Sequence, residues 1–181
     1  MNRLIPLTDI DDFRPIVEDL NPLLKMPENL DIAEGFPATF RRYGLDPDDA
    51  IKNFNDARAL YQQGKREQFI VSSGTAAVGS CIITNLEAII KSPAGINQEW
   101  PNISGYIARP YRGQGLGRFS IEERMKVVKA NFGDHAWTYV SDDNHISEHL
   151  VTSVGFERIG DGVGDWQGHG VFIYEGSDAQ P

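Results

Sequence analysis

The chain has 181 residues, 40% of them apolar and 24% charged, which are the proportions of a globular protein with its own core. Seventeen basic against 26 acidic side chains leave a formal charge of −9, so no basic stripe exists to displace counterions from DNA or RNA, and nucleic acid is excluded as a general partner. The single cysteine, Cys81, excludes an intrachain disulfide and a thiolate metal cluster.

Cys81 lies in the apolar run Val78 to Ile83, where a small buried hydrophobe is expected rather than a nucleophile. No stretch approaches the ~20 apolar residues that span a bilayer, and the first residues lack a signal peptide's pattern. The expectation is a cytoplasmic protein without a membrane partner.

Leu4 to Leu7 reads as a short strand, followed by Thr8 and Asp9 as caps of a helix with Ile10, Phe13, Val17 and Leu20 on one face. Pro15 shortens or kinks that helix. Prolines 22, 27, 37 and 47 then interrupt the pattern, leaving room for a short helix at 38–43. A further helix is expected from Asp48 to Gln63, with Gly64 as its stop. Gln68 to Ser72 and Ala76 to Thr84 read as a hairpin turning at Ser73-Gly74-Thr75.

Residues 86–101 form a long irregular connection, suited to a site wall or lid. A strand at Ile103 to Ala108, a helix at Leu116 to Phe132 and a strand at Ala136 to Val140 follow. Asn144 caps a short helix ending at Ser153, and Phe156 to Ile159 with Val171 to Tyr174 reads as a closing antiparallel pair. Five glycines between Gly160 and Gly170 predict a flexible loop or irregular hairpin. This order predicts an α+β domain with no linker or repeat.

The strongest chemical signal is Arg109-Pro110-Tyr111-Arg112-Gly113-Gln114-Gly115-Leu116-Gly117-Arg118, set between a strand and a helix. Such a turn aims backbone N–H groups at one point, and the helix dipole adds a preference for negative charge. Three arginines surround it in an otherwise acidic chain. The glycine spacing does not match the Rossmann fingerprint, and no Gly-Lys-Ser/Thr follows as a Walker A loop requires.

The run Arg112 to Gly117 resembles the Arg/Gln-x-x-Gly-x-Gly/Ala signature of the GNAT-superfamily N-acetyltransferases. The resemblance continues through the strand ending at Ile107 and Ala108, through Val140 to Asn144 with Ser147, and through Gly155-Phe156. It implies a mainly antiparallel mixed sheet flanked by helices, with splayed fourth and fifth strands. Residues 1–181 would then be one acetyltransferase-like domain, with 21–64 a helical elaboration on the substrate side.

The resemblance further implies that acetyl-coenzyme A is held by Ile107, Ala108, Arg109, Arg112, Gly113, Gln114, Gly115, Leu116, Gly117, Arg118, Asn144 and Ser147. The N–H groups near Ile107 and Ala108 would stabilise the thioester oxygen. Members commonly carry a tyrosine four residues before the closing glycine as acid to the sulfur. Here Val151 stands there and donates no proton.

Ser147, one turn earlier on the same face, is a substitute candidate; His149 falls on another side. Candidate bases are Glu99 before the fourth strand, Asp142 at the end of the fifth, and Tyr139 within it. The same three positions suit a surface carboxylate, a helix-start charge and a packing ring. The His and Asp spacings match no zinc pattern, so no metal is expected.

Trp100, Tyr106, Trp137 and Tyr139 line a core or cleft, and Phe36, Phe40 and Tyr43 are candidate lid residues. Direct acetyl transfer to a primary amine of a small molecule or peptide is the expectation, since no nucleophile suggests an acyl-enzyme. A coenzyme A-binding sensor without turnover is the alternative, and a symmetric homodimer is compatible with either.

Overall fold

The computed structural model describes residues 1–6, 63, 66–74, 76–84, 96–97 and 99–176. Apart from residue 63, the expected helices between Thr8 and Gln63 and the elaboration 21–64 lie outside these residues, as does most of 86–101. The described elements are β1 (Asn2–Pro6), β2 (Arg66–Ser73), β3 (Ala76–Thr84), β4 (Asn102–Ile107), α1 (Leu116–Asn131), β5 (His135–Ser141), α2 (His145–Ser153), β6 (Glu157–Asp161) and β7 (His169–Glu175). Single 3-10 turns occupy Arg109–Tyr111 and Gly164–Trp166.

Hydrogen-bonded neighbours in the sheet run β1-β2-β3-β4-β5-β7-β6. The β1·β2, β5·β7 and β6·β7 pairs are antiparallel and β4·β5 is parallel, the mixed, helix-flanked sheet that was expected. The chain divides into two compact units, Met1–Cys81 with Gly105–Leu116, and Ile82–Ser104 with Gly117–Pro181.

In the first unit β1 pairs with β2 in a register that sets Leu4 against Val71. The β2–β3 turn carries Gly74 at φ +62°, a left-handed conformation that a side chain would strain. Alanine at Gly79 would bring its Cβ to 2.3 Å from the Tyr106 carbonyl oxygen, so β3 and β4 approach each other only because that side chain is absent.

In the second unit the start of β4 pairs in parallel with β5, and α1 stands between these two strands in the chain. Helix α1 buries Ser120, Ile121, Arg124, Met125 and Val128 along one face. Arg124 is 5% exposed, and it is accommodated because its guanidinium donates to the Ser120 and Ser104 carbonyls at 3.0 and 2.6 Å. Gly117 lets α2 approach, since a Cβ there would lie 2.8 Å from Leu150 Cδ2.

Strand β5 is buried on both faces. Ala136, Thr138 and Val140 share the side of Phe172 and Tyr174, while Trp137 and Tyr139 face the other way with Ile173 and Val171. The β4·β5 ladder is registered at one pair, Asn102↔Trp137. The closing strands pair antiparallel as expected, and β7 inserts between β5 and β6.

The stretch from Gly160 to Gly170 takes the second of its two expected forms, an irregular hairpin. It extends β6 to Asp161 and then folds inward to place Trp166, 3% exposed, against Trp137 and Tyr139 at ring separations of 5.7 and 4.1 Å. Glycine is needed at 162, where a Cβ would sit 2.2 Å from the Trp166 carbonyl oxygen. The glycines that suggested flexibility instead allow a tight plug, and the burial of one indole organises it.

Candidate functional site

In the first unit the end of β4 feeds the glycine-rich turn. Ala108 N–H donates to the Val78 carbonyl at 2.9 Å, so one of the two amides expected to act on a thioester is already used. Alternation along a strand turns the N–H of Ile107 toward the opposite edge. Tyr111 N–H then returns to Ala108 O and Arg112 N–H to Arg109 O, which closes the single 3-10 turn. Arg112 Nε donates to the Ile107 carbonyl at 2.9 Å, bracing the strand end with a charge-assisted bond.

Gln114 Nε2 reaches the Pro110 carbonyl at 3.3 Å. Gly113 and Gly115 sit at φ +76° and +77°, conformations that disfavour any residue with a Cβ. Residues 112–115 are exposed. The backbone N–H groups of Gly113, Gln114 and Gly115 donate to no described residue and lead into the N-terminus of α1. N–H groups so arranged are of the kind that can hold an anion. Near it, burial pushes the Tyr106 hydroxyl above its ordinary pKa while Arg112 acts in the opposite sense, so the phenol stays protonated at neutral pH.

The second unit holds the remaining candidates. Arg118 pairs with Glu122 at 2.7 Å on the exposed side of α1. Glu99 lies exposed in a turn, with its N–H on Asn97 Oδ1 at 3.1 Å. Tyr139 is half-buried among Trp137, Trp166 and His169. The Asp142 carboxylate accepts from Arg158 Nη2 at 3.0 Å, and the same guanidinium reaches Asp161 at 2.7 Å and Glu148 at 3.4 Å. These groups are partly solvated, so the network fixes strand ends more than it stabilises the fold.

Asn144 caps α2, its Oδ1 accepting from Ser147 N–H at 3.1 Å. The Ser147 hydroxyl itself bonds to no described residue, and Ser147 is half-buried. Val151 is the buried residue of α2, one turn further along, and His149 is exposed. Replacing Asn144 with alanine removes the cap and is expected to lower stability by about 1 kcal/mol, read as a drop of roughly 2–4 °C in Tm. Beside it, the Ser141 hydroxyl donates to Asp143 and holds that carboxyl below its usual pKa. Ser141→Ala should therefore raise the Asp143 pKa toward the ordinary carboxylate range in an NMR titration; an unchanged value would refute this cause.

Among the described residues no group of three or more His, Cys, Asp or Glu converges as metal ligands do, and no helix is long and apolar enough to cross a membrane. Trp166 and Arg158 escape a reading of the sequence, because their partners lie on strands whose order it does not display. The one local hint is Arg158 three residues from Asp161.

No protein-family model matches the chain, and no curated protein sequence does. Solved structures do. The Campylobacter jejuni N-acetyltransferase PseH, solved with acetyl coenzyme A, is 13% identical with a TM-score of 0.63, covering 97% of this chain and 99% of its own. The PaiA N-acetyltransferase of Thermoplasma acidophilum, solved with coenzyme A, is 12% identical with a TM-score of 0.67 and covers 97% and 99%. The GNAT domain of S. lividans PAT gives 12% identity, a TM-score of 0.67, and 96% and 90% coverage. The fold is that of the GNAT acetyltransferases.

Proposed function

We propose that this protein transfers an acetyl group from acetyl-coenzyme A directly to a primary amine of a small molecule or peptide. The observation that carries this is the run of undonated N–H groups at Gly113, Gln114 and Gly115, opening onto a helix N-terminus in a fold whose solved examples hold coenzyme A. Those amides, with Leu116 and Gly117, would hold the pyrophosphate. Arg109, Arg112 and Arg118 would supply counter-charge, and Asn144 and Ser147 further polar contacts. The bound thioester supplies the activated acyl carbon.

The chain's own part is to position the amine, take its proton and stabilise charge on oxygen. Ile107 N–H is the proposed oxyanion donor, because Ala108 N–H is spent on Val78. Ser147 is the proposed donor to the leaving sulfur, since its hydroxyl is uncommitted and Val151 has none to give. Glu99, solvated and bound among the described residues only through its N–H, is better placed to accept a proton than Asp142, whose carboxylate Arg158 holds. Tyr139 would serve as a wall for the acceptor.

Incubating the protein with acetyl-coenzyme A and a mixed panel of primary amines, and following both free thiol and acetylated product by mass spectrometry, tests this. Amine-dependent thiol release supports transfer. Tight cofactor binding with no turnover on any amine would indicate a sensor instead.

A further inference from the structure

We infer that Asn102 and Thr84 bind one internal water, and that Asn102 is thereby the positioning residue that fixes where β4 parts from β5. Both side chains are fully buried, and both Asn102 Oδ1 and Thr84 Oγ1 lack a hydrogen-bond partner. Such atoms are uncommon, because buried polar groups nearly always find a protein or water partner.

The Ala108 N–H to Val78 O bond sets the register of β3 against β4, and carrying it along both strands places Thr84 opposite Asn102. In strand pairs, side chains so placed share a face and lie close enough for one water to touch both. A water there donates to the Asn102 carbonyl oxygen and exchanges a bond with the Thr84 hydroxyl. That meets the minimum of two polar partners a buried water needs.

The position matters because three further bonds converge on the same rung. Trp137 N–H donates to Pro101 O at 3.0 Å, Trp137 Nε1 to Trp100 O at 3.1 Å, and Asn102 Nδ2 to Trp137 O at 3.3 Å. Asn102↔Trp137 is also the one registered pair of the β4·β5 ladder. A primary amide is the group that can do both tasks. Its nitrogen grips the carbonyl of the departing strand while its oxygen, through the water, is held by β3. Rotation of the amide would break both contacts at once, so the water fixes its orientation and the last rung with it.

The consequence for catalysis rests on the function proposed above, in which Ile107 N–H, further along β4, meets the thioester. Loosening the rung would misplace that part of the strand and weaken donor binding more than it slows the chemical step.

The test is a double-mutant cycle of Thr84→Val and Asn102→Leu, with Thr84→Ser as the conservative variant, and a high-resolution crystal structure of the wild type. The expected density is one water within hydrogen-bond distance of Thr84 Oγ1 and Asn102 Oδ1. In thermal melts the double variant should lose clearly less than the sum of the two single variants, because each single change strands the other polar atom. Thr84→Val should raise KM for acetyl-coenzyme A ~5-fold with a smaller change in kcat, and Thr84→Ser should restore it.

Absence of the water, a direct bond between the two side chains, or additive effects on Tm would overturn the site. A shared water with an unchanged KM in Thr84→Val would overturn the positioning role. A wild type that binds no acetyl-coenzyme A in calorimetry would refute the proposed function, and with it the role in catalysis, while the density and the melting cycle still decide whether the water is there.

Discussion

Gly115→Val is expected to raise KM for acetyl-coenzyme A by about 100-fold, equivalent to ~2.7 kcal/mol of lost binding, while leaving a folded protein. Gly115 sits at φ +77°, is exposed, and has no atom within 4 Å of where a Cβ would stand. The cost to the fold is therefore backbone strain alone, about 1–2 kcal/mol. A valine escapes that strain by rotating φ to negative values, which swings its own N–H and that of Leu116 away from the cradle. Each hydrogen bond to a charged group contributes roughly 1.5–3 kcal/mol, so losing one or two accounts for the predicted effect.

Gly133→Val is the matched control. Gly133 also has positive φ, at +96°, with open space around its Cβ position, but it lies beyond the far end of α1. It should show a similar fall in Tm and an unaltered KM. Equal KM effects in the two variants would mean that the glycine-rich turn does not hold the cofactor.

What the sequence made legible is what short-range chemistry encodes. The glycine-rich turn, the Asn144 cap and the α1 face all depend on residues within a turn or two of one another, so their signals are contiguous. The strand positions followed for the same reason but their ends less closely, since β1 starts at Asn2 rather than Leu4, β2 at Arg66 rather than Gln68 and β7 at His169 rather than Val171.

The partners of β5 did not follow, because β7 rather than β6 lies beside it and only spatial order reveals that. The Arg158 grip on Asp142 and the Trp166 plug against Tyr139 arise from that long-range placement. Two expected catalytic groups thus acquired structural companions that no local pattern displays. The glycines of 160–170 carried an ambiguous signal, since close packing and mobility both call for a missing Cβ; burial of Trp166 resolves it.

The largest effect on stability is expected from Trp137→Ala, a loss of about 3–5 kcal/mol and hence roughly 6–20 °C in Tm. Trp137 is 0% exposed and packs with Ile96, Trp166 and Val171, so truncation leaves a cavity in the centre of that cluster. Its indole also fixes the Trp100 carbonyl, and Trp100 stacks on His135 at 4.6 Å with planes 16° apart. Removing the ring therefore releases the approach to β4 as well as emptying the core.

Trp137→Phe separates these contributions. It retains most of the buried surface but cannot donate to Trp100 O, and should cost about 1–3 kcal/mol, mainly from that stranded acceptor and the smaller volume. If packing alone governs this cluster, hydrogen exchange at Trp100 and Asn102 will be unchanged in Trp137→Phe. If the indole N–H ties the start of β4 to β5, exchange there will quicken in Trp137→Phe while Val171 and Phe172, held by the β5·β7 ladder, remain protected.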